Sequence, residues 1–162
     1  MKTIPTLFDW IGGEAVLEKL MVDFYDKVLV DDLLRPIFQH MSDEHRLHIA
    51  HFVGEVFKGP KTYTVRDGGS HASMVAHHLG KMLTEKQRRR WMELLLETAD
   101  QNGLPSDPEF RSAFIAYLEW GSRIAVMNSH SDNNPLNDKD PMPSWGWGEP
   151  GGPYLPDNPT TT

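Results

Sequence analysis

HASMVAHHLGKMLTEKQRRRW, residues 71–91, is the stretch on which the fold turns. At spacings of i, i+3 and i+4, His78 shares a stripe with Met74, Val75 and Met82. Its neighbour His77 points about 100° away, toward Ser73 and Gly80. Only one imidazole of the pair can therefore face a core, and the stripe selects His78. Taken alone, such a histidine is ordinarily hydrogen-bonded packing rather than a ligand. Directly behind it, Thr84-Glu85-Lys86-Gln87 is a capping box, in which side chains satisfy the free N–H groups of a new helix. Arg88 to Gln101 continues that helix with Trp91, Leu94, Leu95 and Thr98 on one side, and Gly103 and Pro105 end it.

The helical period extends in both directions from there. Upstream, Val16, Leu17, Leu20, Met21, Phe24 and Val28 follow it after a Gly12-Gly13 turn. Leu33, Leu34, Ile37 and Phe38 suggest a short turn of helix broken around Pro36. Between Asp43 and Phe57, Ile49, Phe52, Val53 and Val56 lie on one stripe closed by Gly59-Pro60, and Lys61 to Ser70 reads as loop. Downstream, Ser106-Asp107-Pro108-Glu109 reads as a second capping box with proline near the first helical position. Phe110, Phe114, Tyr117, Leu118, Gly121 and Ile124 then mark a long final helix. No run alternates with period two, so the fold class is all-α.

From Ser129 onward the composition changes. Seven of the 12 prolines fall there among Gly and Asn, which excludes a long helix or paired strand. Residues 129–162 are either a disordered tail or an ordered strap pinned by Trp145, Trp147 and Tyr154. The 162 residues suit one domain, taken as 1–128, and 5 Trp, 4 Tyr and 7 Phe are too many for a wholly disordered chain. A net charge of −7 provides no cationic field for a nucleic-acid backbone. With no cysteine, disulfides, thiolate metal sites and cysteine nucleophiles are excluded together. No window reads as a signal peptide or a membrane span, and the expectation is a soluble, cytoplasmic protein.

Eight histidines in an acidic chain invite a metal-site reading. Along a helix, however, spacings of three turn His45, His48 and His51 progressively off one face, and HxxH without glutamate is not the HExxH arrangement. They read as solvated surface residues. Tyr25, Phe38, Ile49, Phe52 and Trp91, each taken alone, read as core packing.

Their order in the chain says more. Gly12-Gly13 precedes Phe24-Tyr25, Phe38 follows thirteen residues after Tyr25, and a helix with His45, Ile49 and Phe52 closes on FKGPKTY, residues 57–63. Then comes His78 and, thirteen residues on, Trp91. This pattern resembles the truncated haemoglobins of group II over about Leu7 to Asn128. The tyrosine in FY, the GP-x-x-Y turn and the His-to-Trp interval are jointly specific. The resemblance implies a shortened globin, a two-over-two helical sandwich around haem b. It assigns His78 as the proximal iron ligand, Tyr25 and Trp91 to the distal pocket, and Phe38 to packing on the porphyrin. It puts His45 and Ile49 beside the sixth coordination site, Phe52 with the apolar groups that exclude water, and Leu83 below the haem.

Several positions depart from the family pattern. Val75-Ala76-His77 stands where relatives often carry basic residues for the haem propionates, and His77, His48, Lys58 or Arg66 are the candidate substitutes. Phe38 replaces a common tyrosine, so one distal donor is lost. The functional expectation is a haem protein that binds O2, and also CO or NO, with ligand-linked redox chemistry such as NO detoxification or peroxidase-like turnover. Nothing in these residues reads as a reductase domain, so cycling would draw on an external electron donor. A haem-free helical interaction module and a non-haem metal protein remain the competing readings.

Overall fold

A computed structural model of the chain describes residues 3–153, and Tyr154 lies outside that range. Among the described residues there are seven α-helices and no strand. The first, α1 (Leu7–Ile11), starts at Thr6, whose hydroxyl accepts the Asp9 N–H at 3.0 Å. It stops at Gly12, which has φ +114° and a position where a Cβ would meet Val16 Cγ2 at 2.8 Å. Only glycine lets the chain turn there into α2 (Glu14–Val28).

Leu17, Leu20, Met21, Phe24, Tyr25 and Val28 of α2 are all buried, a stripe wide enough to be covered from two directions. One cover is α4 (Asp43–Val56), capped by the Ser42 hydroxyl accepting from the His45 N–H at 3.1 Å; the other is α6 (Glu85–Gln101). Arg46, buried on α4, donates to Asp26 Oδ1 at 2.6 Å and to the Val22 carbonyl at 3.3 Å, tying α4 to α2. Helix α6 in turn packs on α7 (Pro108–Ser129). The result is two helix pairs, α2 with α4 and α6 with α7, one pair laid over the other.

The connections position the short elements. Asp31 accepts the Leu33 and Leu34 N–H groups at 3.0 and 3.1 Å and the Arg90 Nε–H at 2.7 Å. This fastens α3 (Arg35–Phe38) to α6. Residues 62–66, read as loop from their polarity, form a π-helical turn instead, Thr62–Arg66. The turn exists because Tyr63 folds under the chain: a Cβ on Gly69 would fall 2.3 Å from its ring. Tyr63 then bonds Ser73 Oγ at 2.9 Å and donates to the Ser70 carbonyl at 3.3 Å, setting where α5 (His71–Ala76) begins.

Two helix starts compare differently with expectation. Thr84 caps α6 in a full capping box with Gln87. At α7 the cap is Asp107, accepting from Phe110 N–H at 3.0 Å, and not the Ser106–Glu109 pair. Proline at the first helical position makes the aspartate just before it the half-in residue. Helix α1 has too few residues to show a period and was not expected.

Beyond α7 the described chain is an ordered strap. The Trp145 backbone N–H donates to the Val56 carbonyl at 2.8 Å and its indole to the Ala113 carbonyl at 3.1 Å. The buried Trp147 donates to the Pro5 carbonyl at 2.8 Å and packs edge-on against Trp10.

Burial alone would raise the Asp31 carboxyl, but the Arg90 guanidinium and the Leu34 and Leu33 N–H groups outweigh it and hold it below its usual value near 3.8. Its contribution is therefore present at neutral pH and lost as pH falls through the folded-state value. Asp31→Asn should cost about 1–2 kcal/mol at pH 7 by chemical denaturation. The gap from wild type should close below about pH 4.

Candidate functional site

Between α4 and α5 on one side and α6 and α7 on the other lies a mostly apolar cavity. Met21, Leu34, Ile37, Ile49, Phe52, Val53, Met74, Val75, Leu83, Leu118 and Ile124 contribute to its lining. Among the polar side chains that reach it are Tyr25, His71, His78, Arg88, Trp91 and Tyr117. Seven of the residues singled out from the sequence converge here: His78, Tyr25, Phe38, Ile49, Phe52, Leu83 and Trp91.

His78 sits one turn beyond α5, where its backbone N–H still donates to the Val75 carbonyl at 2.9 Å. Its exposed neighbour His77 lies outside the lining. Burial pushes the His78 imidazole down to about 4, with His77 and Lys81 adding to the fall and a hydrogen bond to the Met74 carbonyl opposing it. The ring is neutral at physiological pH. A neutral imidazole keeps a lone pair on one of its two nitrogens.

Tyr25 and Trp91 meet in the same cavity. Phe24 packs edge-on against both, with centroids 4.7 Å from Tyr25 and 5.4 Å from Trp91, and Phe38 lies 5.6 Å from the Tyr25 ring. Burial pushes the Tyr25 hydroxyl up to about 12, opposed by the Trp91 indole N–H and by the Arg46 charge. Tyr25 is thus a proton-bearing donor at any physiological pH.

His45 departs from expectation. It does not line the cavity but packs on His77 with ring centroids 4.3 Å apart, near enough to His78 for a proton on one ring to disfavour a proton on the other. Burial first, then the neighbouring histidines His77, His48 and His78, bring it down to about 4. As the third residue of α4 it is carried on the turn facing His77, and Ile49, one turn further, reaches the cavity.

None of the four candidate substitutes for the missing basic residues lines the cavity. Lys58 lies against Gly146 of the strap, Arg66 donates to Glu14 Oε1 at 3.4 Å, His48 faces Glu44, and His77 packs at a tilt on His45. Arg88 does reach the cavity, but it is held by Glu85 at 2.6 Å, by Glu119 at 3.2 Å and by Ser122 at 3.2 Å. His51, read as a surface histidine, is 5% exposed and pairs Nδ1 with Asp67 Oδ2 at 2.6 Å, with Glu14 and Glu18 facing Nε2. It lies outside the cavity.

Among the lining residues that escaped the sequence reading of the site are His71, Arg88, Tyr117 and Trp120. His71 packs 6.2 Å from Phe52 and 6.5 Å from Trp120. The signal for Tyr117 and Trp120 was present, since with Gly121 and Ile124 they share i, i+3, i+4 and i+7 spacing on α7. His71 gave none, because only the return of the chain past Tyr63 turns it inward.

The cavity matches what a flat apolar macrocycle with a central metal requires: greasy walls, one neutral imidazole with a free lone pair, and two hydrogen-bond donors in the same space. The comparisons with known proteins agree in kind. Residues 6–120 match the family described as bacterial-like globin. The group 2 truncated hemoglobin YjbI of Bacillus subtilis is 28% identical over 121 residues, covering 75% of this chain and 89% of that protein. A group 1 truncated hemoglobin of a Nostoc species is 33% identical over 91 residues, covering 49% of this chain and 77% of that one. The crystal structure of the group II truncated hemoglobin of Bacillus anthracis superposes with a TM-score of 0.68 at 27% identity, covering 83% of this chain and 98% of that one. The truncated oxygen-avid haemoglobin of Bacillus subtilis superposes with a TM-score of 0.65 at 28% identity, covering 75% and 99%.

Burial also lowers His71 and His77, so at least four histidines, with His45 and His78, resist protonation in the folded chain. Between the unfolded value near 6.5 and about 4 the unfolded state binds more protons, so stability falls as pH drops through that window. A denaturation series in the haem-free chain should show this loss, and His78→Leu should make it shallower.

Proposed function

Because the chain belongs to the bacterial-like globin family, we propose that it binds haem b through His78 and takes O2, CO or NO as ligands. The observation that carries this reading is the neutral His78 imidazole, its lone pair free in an apolar cavity that also holds Tyr25 and Trp91. The bound group would supply a ferrous iron able to take a diatomic ligand.

The protein's own work is binding, orientation and exclusion of water. Donation from one His78 ring nitrogen to the nearby Met74 carbonyl would fix the tautomer and strengthen the other nitrogen as a base. Phe38, Ile49, Phe52 and Leu83 offer apolar surface to the macrocycle and keep water from the iron site. Tyr25 O–H and Trp91 N–H are donors in a low-dielectric space, where a hydrogen bond to a ligand carrying partial negative charge is strong. His45 takes no donor role in this reading, since it stands with His77 outside the lining.

Two donors of this kind retain ligand. That suits a slow releaser acting in ligand-linked redox chemistry, such as NO detoxification with an external electron donor, better than bulk transport. The Bacillus subtilis relative described as oxygen-avid supports the same direction.

The test begins with colour. The purified chain should carry or take up haem with a Soret band, and His78→Ala should lose it. Tyr25→Phe and Trp91→Phe should each speed O2 dissociation by about tenfold or more in stopped-flow kinetics, since a charge-assisted hydrogen bond is worth about 1.5–3 kcal/mol. Unchanged rates in both variants would sink the donor roles. A colourless chain that takes up no haem would instead favour the interaction-module reading.

A further inference from the structure

We propose that the end of α7 and the start of the strap, Ser129 to Asp138, form a clamp that positions His78, with Asn134 as its positioning residue. The inference rests on the reading of His78 as the haem ligand and adds to it a function for a segment beyond the matched globin region, which ends at residue 120.

Helix α5 has six residues, too few to be stable alone, and shares no broad face with another helix. His78 lies past its end, in a stretch that runs through Gly80 at φ +73° and Met82 at φ +51°. The methionine is a side chain held in the left-handed region, a conformation that persists only where surrounding structure imposes it. What imposes it here is the clamp. Gly80 N–H donates to the Ser131 carbonyl at 3.0 Å, and Met82 N–H donates to the Ser129 carbonyl at 3.0 Å. Leu83 N–H donates to Ser129 Oγ at 2.9 Å, and the His130 ring bonds the Leu83 carbonyl at 3.0 Å.

On the other flank of His78, Asn134 Nδ2 donates to the Ala72 carbonyl inside α5 at 2.8 Å. Ser70, the N-cap of α5, donates to Asp138 Oδ1 at 3.0 Å. The clamp therefore grips the segment at Ser70, at Ala72 and from Gly80 to Leu83, which brackets the imidazole without touching it. Asn134 also accepts the Leu136 N–H through Oδ1 at 3.0 Å, so its side chain is pre-set by its own turn before it reaches α5.

The test compares two full-length variants with wild type. Asn134→Asp keeps the acceptor for Leu136 and replaces the donor to Ala72 with a carboxylate oxygen, which the Ala72 carbonyl repels. Trp147→Phe removes the bond to Pro5 at the far end of the strap and leaves the clamp intact. Hydrogen exchange over residues 72–83, measured without haem, should rise about tenfold in Asn134→Asp and stay within about twofold of wild type in Trp147→Phe. In the haem-loaded ferrous protein, the iron–imidazole stretching band should shift or broaden in Asn134→Asp alone. Unchanged exchange in Asn134→Asp, an unmoved band, or equal effects of the two variants would overturn the clamp. Retention of haem by His78→Ala would instead overturn the ligand reading, and the exchange contrast reports on the clamp in either case.

Discussion

An imidazole enclosed by apolar side chains must stay neutral, because nothing nearby compensates a charge, and the architecture is arranged around that condition at His78. Burial suppresses protonation, and the neutral ring keeps a lone pair with which to bind a metal. The helix delivering it is very short, so its position comes from outside. Tyr63 and Asp138 hold the start of α5 through Ser73 and Ser70, glycine at 69 leaves room for the Tyr63 ring, and Ser129 and Ser131 bond the stretch beyond its end. Residues far apart in the chain are thus joined in one mechanical support.

The same cavity holds a second arrangement, of aromatics. Phe24 wedges between Tyr25 and Trp91, and Phe38 closes on Tyr25 from α3, whose place depends on Asp31 and Arg90. Burial keeps the Tyr25 proton in place, so both polar tips remain donors. Imidazole and donors come from separate elements, and α2 with α4 is held in register by the buried Arg46 on Asp26. An error in helix packing would reach the site at once.

Most long elements were legible in the sequence because burial writes a period of 3.6 into it. The stripes on α2, α4, α6 and α7 and the Thr84 capping box needed no tertiary information. Very short elements leave at most a faint record: the apolar pairs around Pro36 gave away α3, whereas α1 and the π-helical turn at Thr62–Arg66 escaped. Polarity also misled at His51: surface spacing placed it in water, whereas Asp67, Glu14 and Glu18 close over it. A buried histidine with charged partners looks from the sequence like a solvated one, since its partners lie on other elements.

By itself the sequence determined an all-helical chain, because helical spacing dictates which side chains leave the surface together, while only the family resemblance gathered His78, Tyr25, Phe38, Ile49, Phe52, Leu83 and Trp91, which line one cavity, into one site. Three matters were decided only in three dimensions: that His45 turns to His77 instead of the cavity, that His71 joins the lining, and that Ser129, Ser131 and Asn134 hydrogen-bond to the segment on either side of His78. Each depends on a backbone hydrogen bond or ring contact between residues distant in the chain, and local spacing carries no information about partners of that kind.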